Sequence, residues 1–427
     1  MGFIKLTLFV VIVAIVLNYL WNYFSTPLPP VVEGFFHPSF RRVAEKLRQN
    51  VQSGKEKGGS FAAYYNGEVI VDMWGGYADV ESQQPWENDT LSLAFSVTKS
   101  VSALTIAKMV DRGWIQYEKR VSYYWPEFGK NGKENITVEI LLSHQAGLLS
   151  FGGEKISLLD FIHRPKEVVR LLEDQTPHWV PGTAHGYHAV TIGYYVGTLA
   201  QKADPKHRNL SQIFKEEIAE PLGIDFHIGL PREQHWRVAR GNFLSLSQIL
   251  LKTLTSPTSF RIFSTLLMYP DSLTAKSMMV LKEETSFMNR ADVQASGIPS
   301  FMGLGNARSL AKLYSFVAMG GSSKGKQLLS AETMKKVLTP LTRGKDLVLL
   351  TNMTYARGLM VLNNSRGSVM FGHGGYGGQA ALADPYNKLS LAYISNYLES
   401  FGLCNDPRFI DLYELVYDCL DDYLSKQ

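Results

Sequence analysis

The sequence predicts a discontinuous α/β (α+β) domain that carries an inserted helical domain and follows an N-terminal transmembrane helix. Three observations predict it. A helix and a hairpin open the body, strands and a helix close it, and the stretch between is mostly helical. Hydrophobic residues make up 45% of the 427-residue chain and charged residues 19%, which excludes a mainly disordered chain and supports a sizeable core. Ahead of the body, residues 6–24 are nearly all apolar. The expected division is an anchor at 1–24, a proline-rich linker at 25–36 and a body at 37–425. Within the body, the α/β part spans about 37–95 and 300–425, and the helical insert about 100–295.

The apolar stretch is long enough, as a helix, to cross the roughly 30 Å hydrocarbon layer. Asn18 and Asn22 interrupt it only near its end, beside Tyr19, Trp21 and Tyr23, as in an interfacial aromatic belt. Ser25-Thr26-Pro27-Leu28-Pro29-Pro30 then ends the helix and makes a stiff spacer. The length of the run, and the bulky residues before Ser25, favour an uncleaved signal anchor over a signal peptide. The lipid bilayer is therefore an expected partner through residues 6–24. Sequons at Asn88, Asn135, Asn209, Asn352 and Asn363 lean toward a glycosylated body on the lumenal or extracellular side. A net charge of +4 (43 basic minus 39 acidic residues) is too small and dispersed for a nucleic-acid partner.

In the body, Val43, Leu47 and Val51 recur at four-residue spacing and predict a helix over about 37–53. Two apolar runs, 60–65 and 68–74, flank Asn66-Gly67; that pair predicts a hairpin, because both turn residues accept positive φ. Gly75, Gly76 and Asp79 read as a loop. Helices are expected over 97–112, 244–254 and 306–319, the last closed by Gly320-Gly321. Runs 358–362, 368–371, 379–383 and 389–396 read as strands, and 409–424 as an amphipathic helix.

Ser-x-x-Lys occurs three times, at Ser96/Lys99, Ser309/Lys312 and Ser323/Lys326. Ser309 falls inside a helix, where its hydroxyl is expected to bond back to a carbonyl, and Ser323 falls in a glycine-rich turn. Ser96 differs: an apolar run precedes it and a helix follows, so Lys99 lies one turn on, on the same face. Unpaired N–H groups at that helix end favour an oxyanion beside Ser96, and a buried Lys99 could take its proton. A helix-capping serine with a surface lysine is the plain alternative. Tyr187, in the turn-rich loop before an apolar helix at 190–199, is either core or a phenol sharing a proton with Lys99. His373, in the cluster Gly372-His373-Gly374-Gly375-Tyr376-Gly377-Gly378, is either structural or a group titrating near neutral pH. Tyr123, Tyr124 and Trp125 either line a crevice or fill core.

Together and in order, Ser96-Val97-Thr98-Lys99, Tyr187-His188-Ala189 and His373-Gly374-Gly375 resemble the motifs of the β-lactamase-related serine hydrolases. The resemblance covers about residues 37–425, and the run Leu141-Leu142-Ser143-His144-Gln145-Ala146-Gly147-Leu148 is also similar to a signature of that family. It implies a β-lactamase/transpeptidase-like fold: a mostly antiparallel sheet flanked by helices, a helical domain, and the site between them. It implies Ser96 as nucleophile, Lys99 and Tyr187 as the general-base pair, the backbone N–H groups of Ser96 and Tyr376 as oxyanion hole, and His373, Gly374, Gly375 and Tyr376 as substrate-binding. The sequence departs from the family at two points. Ala189 replaces an asparagine and His373 a lysine, and both changes remove polar recognition of β-lactams. The expectation is thus a membrane-anchored serine hydrolase of esterase or acyltransferase type, acting on small esters or amides; the alternative is a catalytically silent tethered scaffold. No metal or cofactor is expected, for the histidines and cysteines lack ligand spacing. Cys404 and Cys419 either pair or stay free.

Overall fold

The structure is a computed structural model that describes residues 11–20, 31–245, 248, 257–283, 285–399 and 404–426. Residues 11–20 are helical and exposed; the rest of the expected anchor lies outside the described residues, as does most of the expected helix at 244–254. Among the described residues no helix is long and apolar enough to cross a membrane.

Ten strands build the main sheet: β1 (Val32–Phe36), β2 (Gly58–Tyr65), β3 (Glu68–Asp79), β4 (Gln84–Pro85), β5 (Thr342–Lys345), β6 (Asn352–Tyr355), β7 (Met360–Asn363), β8 (Val369–Gly374), β9 (Ala380–Asp384) and β10 (Leu389–Ser395). Their order is β1-β3-β2-β10-β9-β8-β7-β6-β5, with β4 on β3, and neighbours along that path run antiparallel. The two ends of the chain meet where β2 pairs β10, from Tyr65 against Leu389 to Gly59 against Ser395. Asn66 (φ 50°) and Gly67 (φ 76°) make the predicted hairpin turn. Gly75 and Gly76, expected in a loop, instead belong to β3. β3 is flanked on both sides, and a Cβ on Gly75 would stand 2.6 Å from the Val31 carbonyl oxygen, so the glycine serves close strand approach rather than a turn.

Six helices matter to the site: α1 (Arg41–Gln52), α2 (Val97–Asp111), α3 (Thr191–Ala203), α4 (Pro257–Met268), α5 (Ala307–Ala318) and α6 (Pro407–Leu424). The strand period of two divides the core between the sheet faces. Ala380 and Leu382 of β9 and Leu391 and Tyr393 of β10 pack with Val43, Leu47, Phe409 and Val416 of α1 and α6. Ala381, Ala383, Ala392 and Ile394 point the other way, into a larger core with Val97, Val101 and Leu104 of α2 and Leu310 and Leu313 of α5. Helix α2 has thirteen of its fifteen residues buried, so it lacks a polar face and runs through the centre of the molecule. Asn306 caps α5 by accepting from Ser309 N–H at 2.9 Å. The Ser309 hydroxyl accepts from the half-buried Asp225 N–H at 3.1 Å, giving that loop donor a partner. Cys404 and Cys419 are both free.

Candidate active site

The chain turns into α2 through Phe95, which has the left-handed φ of 45°. A short ladder fixes this turn. Ser92–Leu93 pairs with Gly303–Gly305, and Ala94 N–H donates to the Gly303 carbonyl at 2.9 Å. The Thr98 hydroxyl donates to the Phe95 carbonyl at 2.6 Å and accepts from Gly303 N–H at 2.9 Å. Ser96 occupies the N-cap position, yet its side chain makes no cap hydrogen bond. The capping alternative therefore fails, and the hydroxyl faces a cavity.

Lys99 sits one turn on, 5% exposed. Its Nζ lies 3.0 Å from Ser96 Oγ and donates to the Ser300 carbonyl at 2.9 Å. Burial holds the amine well below the usual lysine range, and no carboxylate offsets that effect. A neutral amine suits the geometry: one N–H satisfies Ser300, and the lone pair is left for Ser96. Tyr187 is also buried, and it lines the same cavity as Ser96. Lys99 Nζ stands 5.0 Å from the centre of its ring. Burial raises the phenol above its ordinary range, with the Ser96 contact opposing, so Tyr187 carries its proton at neutral pH.

Two neutral histidines clamp the Tyr187 segment. His144, at φ 60°, accepts from Gly186 N–H through its carbonyl and from His188 N–H through Nδ1, both at 3.1 Å. His188 donates from Nδ1 to the Gly186 carbonyl at 2.7 Å and accepts at Nε2 from Leu148 N–H at 2.9 Å, which fixes its tautomer. Burial pushes His188 down to about 3 and His144 well below 6.5. From the other side, Ser277 donates to the Tyr187 carbonyl at 2.6 Å and Asp346 accepts from Tyr187 N–H at 3.2 Å.

Of the expected substrate-binding residues, Gly374, Gly375 and Tyr376 line the cavity with Ser96 and Tyr187. The 374–376 backbone approaches the turn at residues 94–96 closely. A Cβ on Gly375 would lie 2.5 Å from the Ala94 carbonyl oxygen, and Phe95 meets Tyr376 edge-on at 5.3 Å. His373 does not line the cavity. It is 1% exposed, with its ring 5.9 Å from that of Tyr187. Its Nδ1 donates to the Gly374 carbonyl at 2.6 Å, and Nε2 has no hydrogen-bond partner. Burial, reinforced by Lys99, lowers it to about 3, so the expectation that it titrates near neutral pH is corrected. The aromatic trio does not line the cavity either: Trp125 is core, donating to Glu173 at 2.8 Å, Tyr124 accepts from Gln116 N–H at 2.8 Å, and Tyr123 is exposed.

Sequence reasoning missed the Ser300 carbonyl, Asp346 and Ser277, which carry no local signal. It took the 141–148 run as structural without seeing that His144 clamps Tyr187. The cavity beside Ser96 measures about 930 Å³. A hydroxyl at its edge, 3.0 Å from an amine whose charge burial opposes and sharing the cavity with a phenol, is equipped for nucleophilic attack with proton relay.

The beta-lactamase family profile matches residues 43–414. The esterase/beta-lactamase LipL of Mycobacterium tuberculosis is 32% identical over 402 residues, covering 90% of this chain and 88% of that protein. The crystal structure of a family VIII carboxylesterase superposes with a TM-score of 0.80 at 32% identity, covering 91% of this chain and 100% of the other. A penicillin-binding protein homologue from Caulobacter crescentus gives 0.74 at 32% identity, with 91% and 100% covered. Because the family match runs from α1 to α6, through both faces of the sheet and the Ser96 cluster, the protein belongs to the beta-lactamase family of serine hydrolases.

Proposed function

We propose that the protein is a membrane-anchored esterase or acyltransferase that forms an acyl-enzyme at Ser96. Lys99, with Tyr187, accepts the Ser96 proton as Oγ attacks an ester or amide carbonyl. The backbone N–H groups of Ser96 and Tyr376 hold the oxyanion; one such donor contributes about 3 kcal/mol. The amine–phenol pair returns the proton to the leaving group, and water or an acceptor hydroxyl then releases the acyl group. The observation that carries this reading is the buried Lys99 amine 3.0 Å from Ser96 Oγ, in surroundings that oppose its charge. Two features favour esters over β-lactams: Ala189 offers no amide at the cavity wall, and His373 is buried without a charge to pair with a carboxylate. The name of the family VIII carboxylesterase points the same way, while that of LipL carries both activities. Residues 6–24 would tether the body to a membrane, on its lumenal or extracellular side.

A fluorophosphonate probe and a short-chain nitrophenyl ester test the chemistry. Wild type is expected to label and turn over, and Ser96→Ala to do neither; equal labelling and turnover by Ser96→Ala would refute the mechanism. Wild-type protein that neither labels nor turns over would leave the scaffold alternative. Alkaline carbonate extraction of the full chain against one lacking residues 1–24 tests the tether, which is refuted if both are released alike.

A further inference from the structure

The cavity beside Ser96 is much larger than the proposed reaction requires. Its 930 Å³ lies near the upper end of the range for whole small-molecule sites, whereas an acetyl group would fill a small corner. Ser96, Tyr187 and residues 374–376 form one polar corner, and Lys155, Ser245, Glu283 and Ser286 are the other polar residues of the lining. Away from it the walls include Ile262 and Leu266 from α4, together with Met278, Leu281, Met288 and Phe301. The charges on the lining are accounted for. Glu283 is occupied by the Ser157 hydroxyl and, at 3.0 Å, by Leu158 N–H, and Lys155 is exposed. Four of the thirteen methionines, Met278, Met279, Met288 and Met360, touch the cavity. Their unbranched thioethers adapt to a flexible guest better than branched side chains do. Helix α4 is apolar on its outer side as well: Phe260 is 51% and Leu267 73% exposed, so the wall is one helix thick.

We propose that this cavity is a chain-binding site and that the substrates are esters carrying an apolar chain of about eight carbons or more. The proposal rests on the acyl-transfer reading above and names its substrate class. A fixed polar corner holds the reacting carbonyl, and the long wall takes the hydrocarbon. Each methylene moved from water into the cavity raises kcat/KM about threefold to fourfold.

The test uses the full-length protein in lipid nanodiscs and two ester series, nitrophenyl esters from acetate to decanoate and alkyl acetates from ethyl to decyl. Expected is a rise in kcat/KM of at least thirtyfold from the shortest member to the eight-carbon member in one series or both. Leu266→Trp, which fills the wall, is expected to lower the octanoate-to-acetate ratio at least tenfold. Met278→Ala, which enlarges it, is expected to move the optimum to longer chains and covers the case in which the tryptophan variant fails to fold. A flat or falling profile in both series, with acetate turnover that still depends on Ser96, would overturn the chain site and leave the acyl-transfer reading standing. Absence of Ser96-dependent turnover at every length would instead remove the reading beneath it. Unchanged length preference in both folded variants would overturn the placement of the chain.

Discussion

Replacing Lys99 with methionine separates the chemistry of the site from its packing. The two side chains are similar in length and volume, so the substitution removes one nitrogen from a pocket that is already apolar. Two contacts go: the one to Ser96 Oγ at 3.0 Å and the one to the Ser300 carbonyl at 2.9 Å. The orphaned Ser300 carbonyl costs about 1–3 kcal/mol. Against this, the wild-type amine is held well below its ordinary range by burial alone. Below the unfolded lysine value, the folded state therefore binds fewer protons than the unfolded state, which opposes folding at neutral pH. Methionine removes that penalty. The two effects oppose each other, so Tm should stay within a few degrees of wild type. Activity should not survive. Loss of a positioned general base typically lowers rates by 10²–10⁴-fold, or about 3–5 kcal/mol in the barrier. The assay is kcat/KM on a nitrophenyl ester, with circular-dichroism melting as the control for folding. Wild type adds a pH signature: activity falls as pH drops through the depressed Lys99 value and the base becomes protonated. A folded Lys99→Met protein that kept more than a tenth of wild-type kcat/KM, or the same acid limb, would refute this account of the base.

Three further outcomes follow from contacts elsewhere around the site. Gly375→Ala would set a Cβ 2.5 Å from the Ala94 carbonyl oxygen, costing about 1–3 kcal/mol and pushing the 374–376 backbone off Ser96; kcat should fall tenfold or more with a smaller change in KM, read from full Michaelis curves. His188→Phe would leave Leu148 N–H and the Gly186 carbonyl unpaired, lowering stability by about 2–4 kcal/mol in urea titrations. The same variant has a pH test. His188 is lowered to about 3 when folded, so wild type loses stability as pH falls below about 6.5, where the unfolded imidazole gains a proton that the folded one refuses; between pH 6 and 4 the variant's slope should be shallower by about one proton. Arg408→Met would strip Glu56 and Asp406 of their buried partner and cost about 3–5 kcal/mol. Glu56 is already raised by burial against the pull of Arg408, and a raised carboxyl stabilises the fold only while protonated, so the deficit should be smallest near about pH 4 and grow toward pH 7 in thermal melts.

The sequence carried those parts of the fold that depend on neighbours along the chain. Asn66-Gly67 announced its hairpin because both residues tolerate the required φ. Gly320-Gly321 marked the end of the helix expected over 306–319, which the structure has as α5. Ser96 and Lys99 could be paired because one helical turn brings them together. Gly75 and Gly76 were misread because a glycine demanded by a neighbouring strand looks like a glycine demanded by a turn. His373 was misread for a related reason: its protonation is set by burial and by Lys99, 274 positions away (373 − 99), and neither is visible in a run of glycines. The Ser300 carbonyl lay beyond reach altogether, since every residue has one and only the packing of α2 selects it.

The residues proposed to perform the reaction and those proposed to shape its guest are drawn from different stretches of chain. Ser96 and Lys99 belong to the start of the buried α2 shaft, and residues 374–376 to the end of β8 and the turn after it, whereas much of the apolar wall comes from Phe243, Leu244, Ile262, Leu266, Met278, Leu281 and Met288. On that proposal, exchanges at those wall residues retool the range of compounds accepted without disturbing Ser96. Drift in diet, so to speak, need not endanger the catalyst, and a single ancestral reaction centre can be inherited by descendants with quite different tastes.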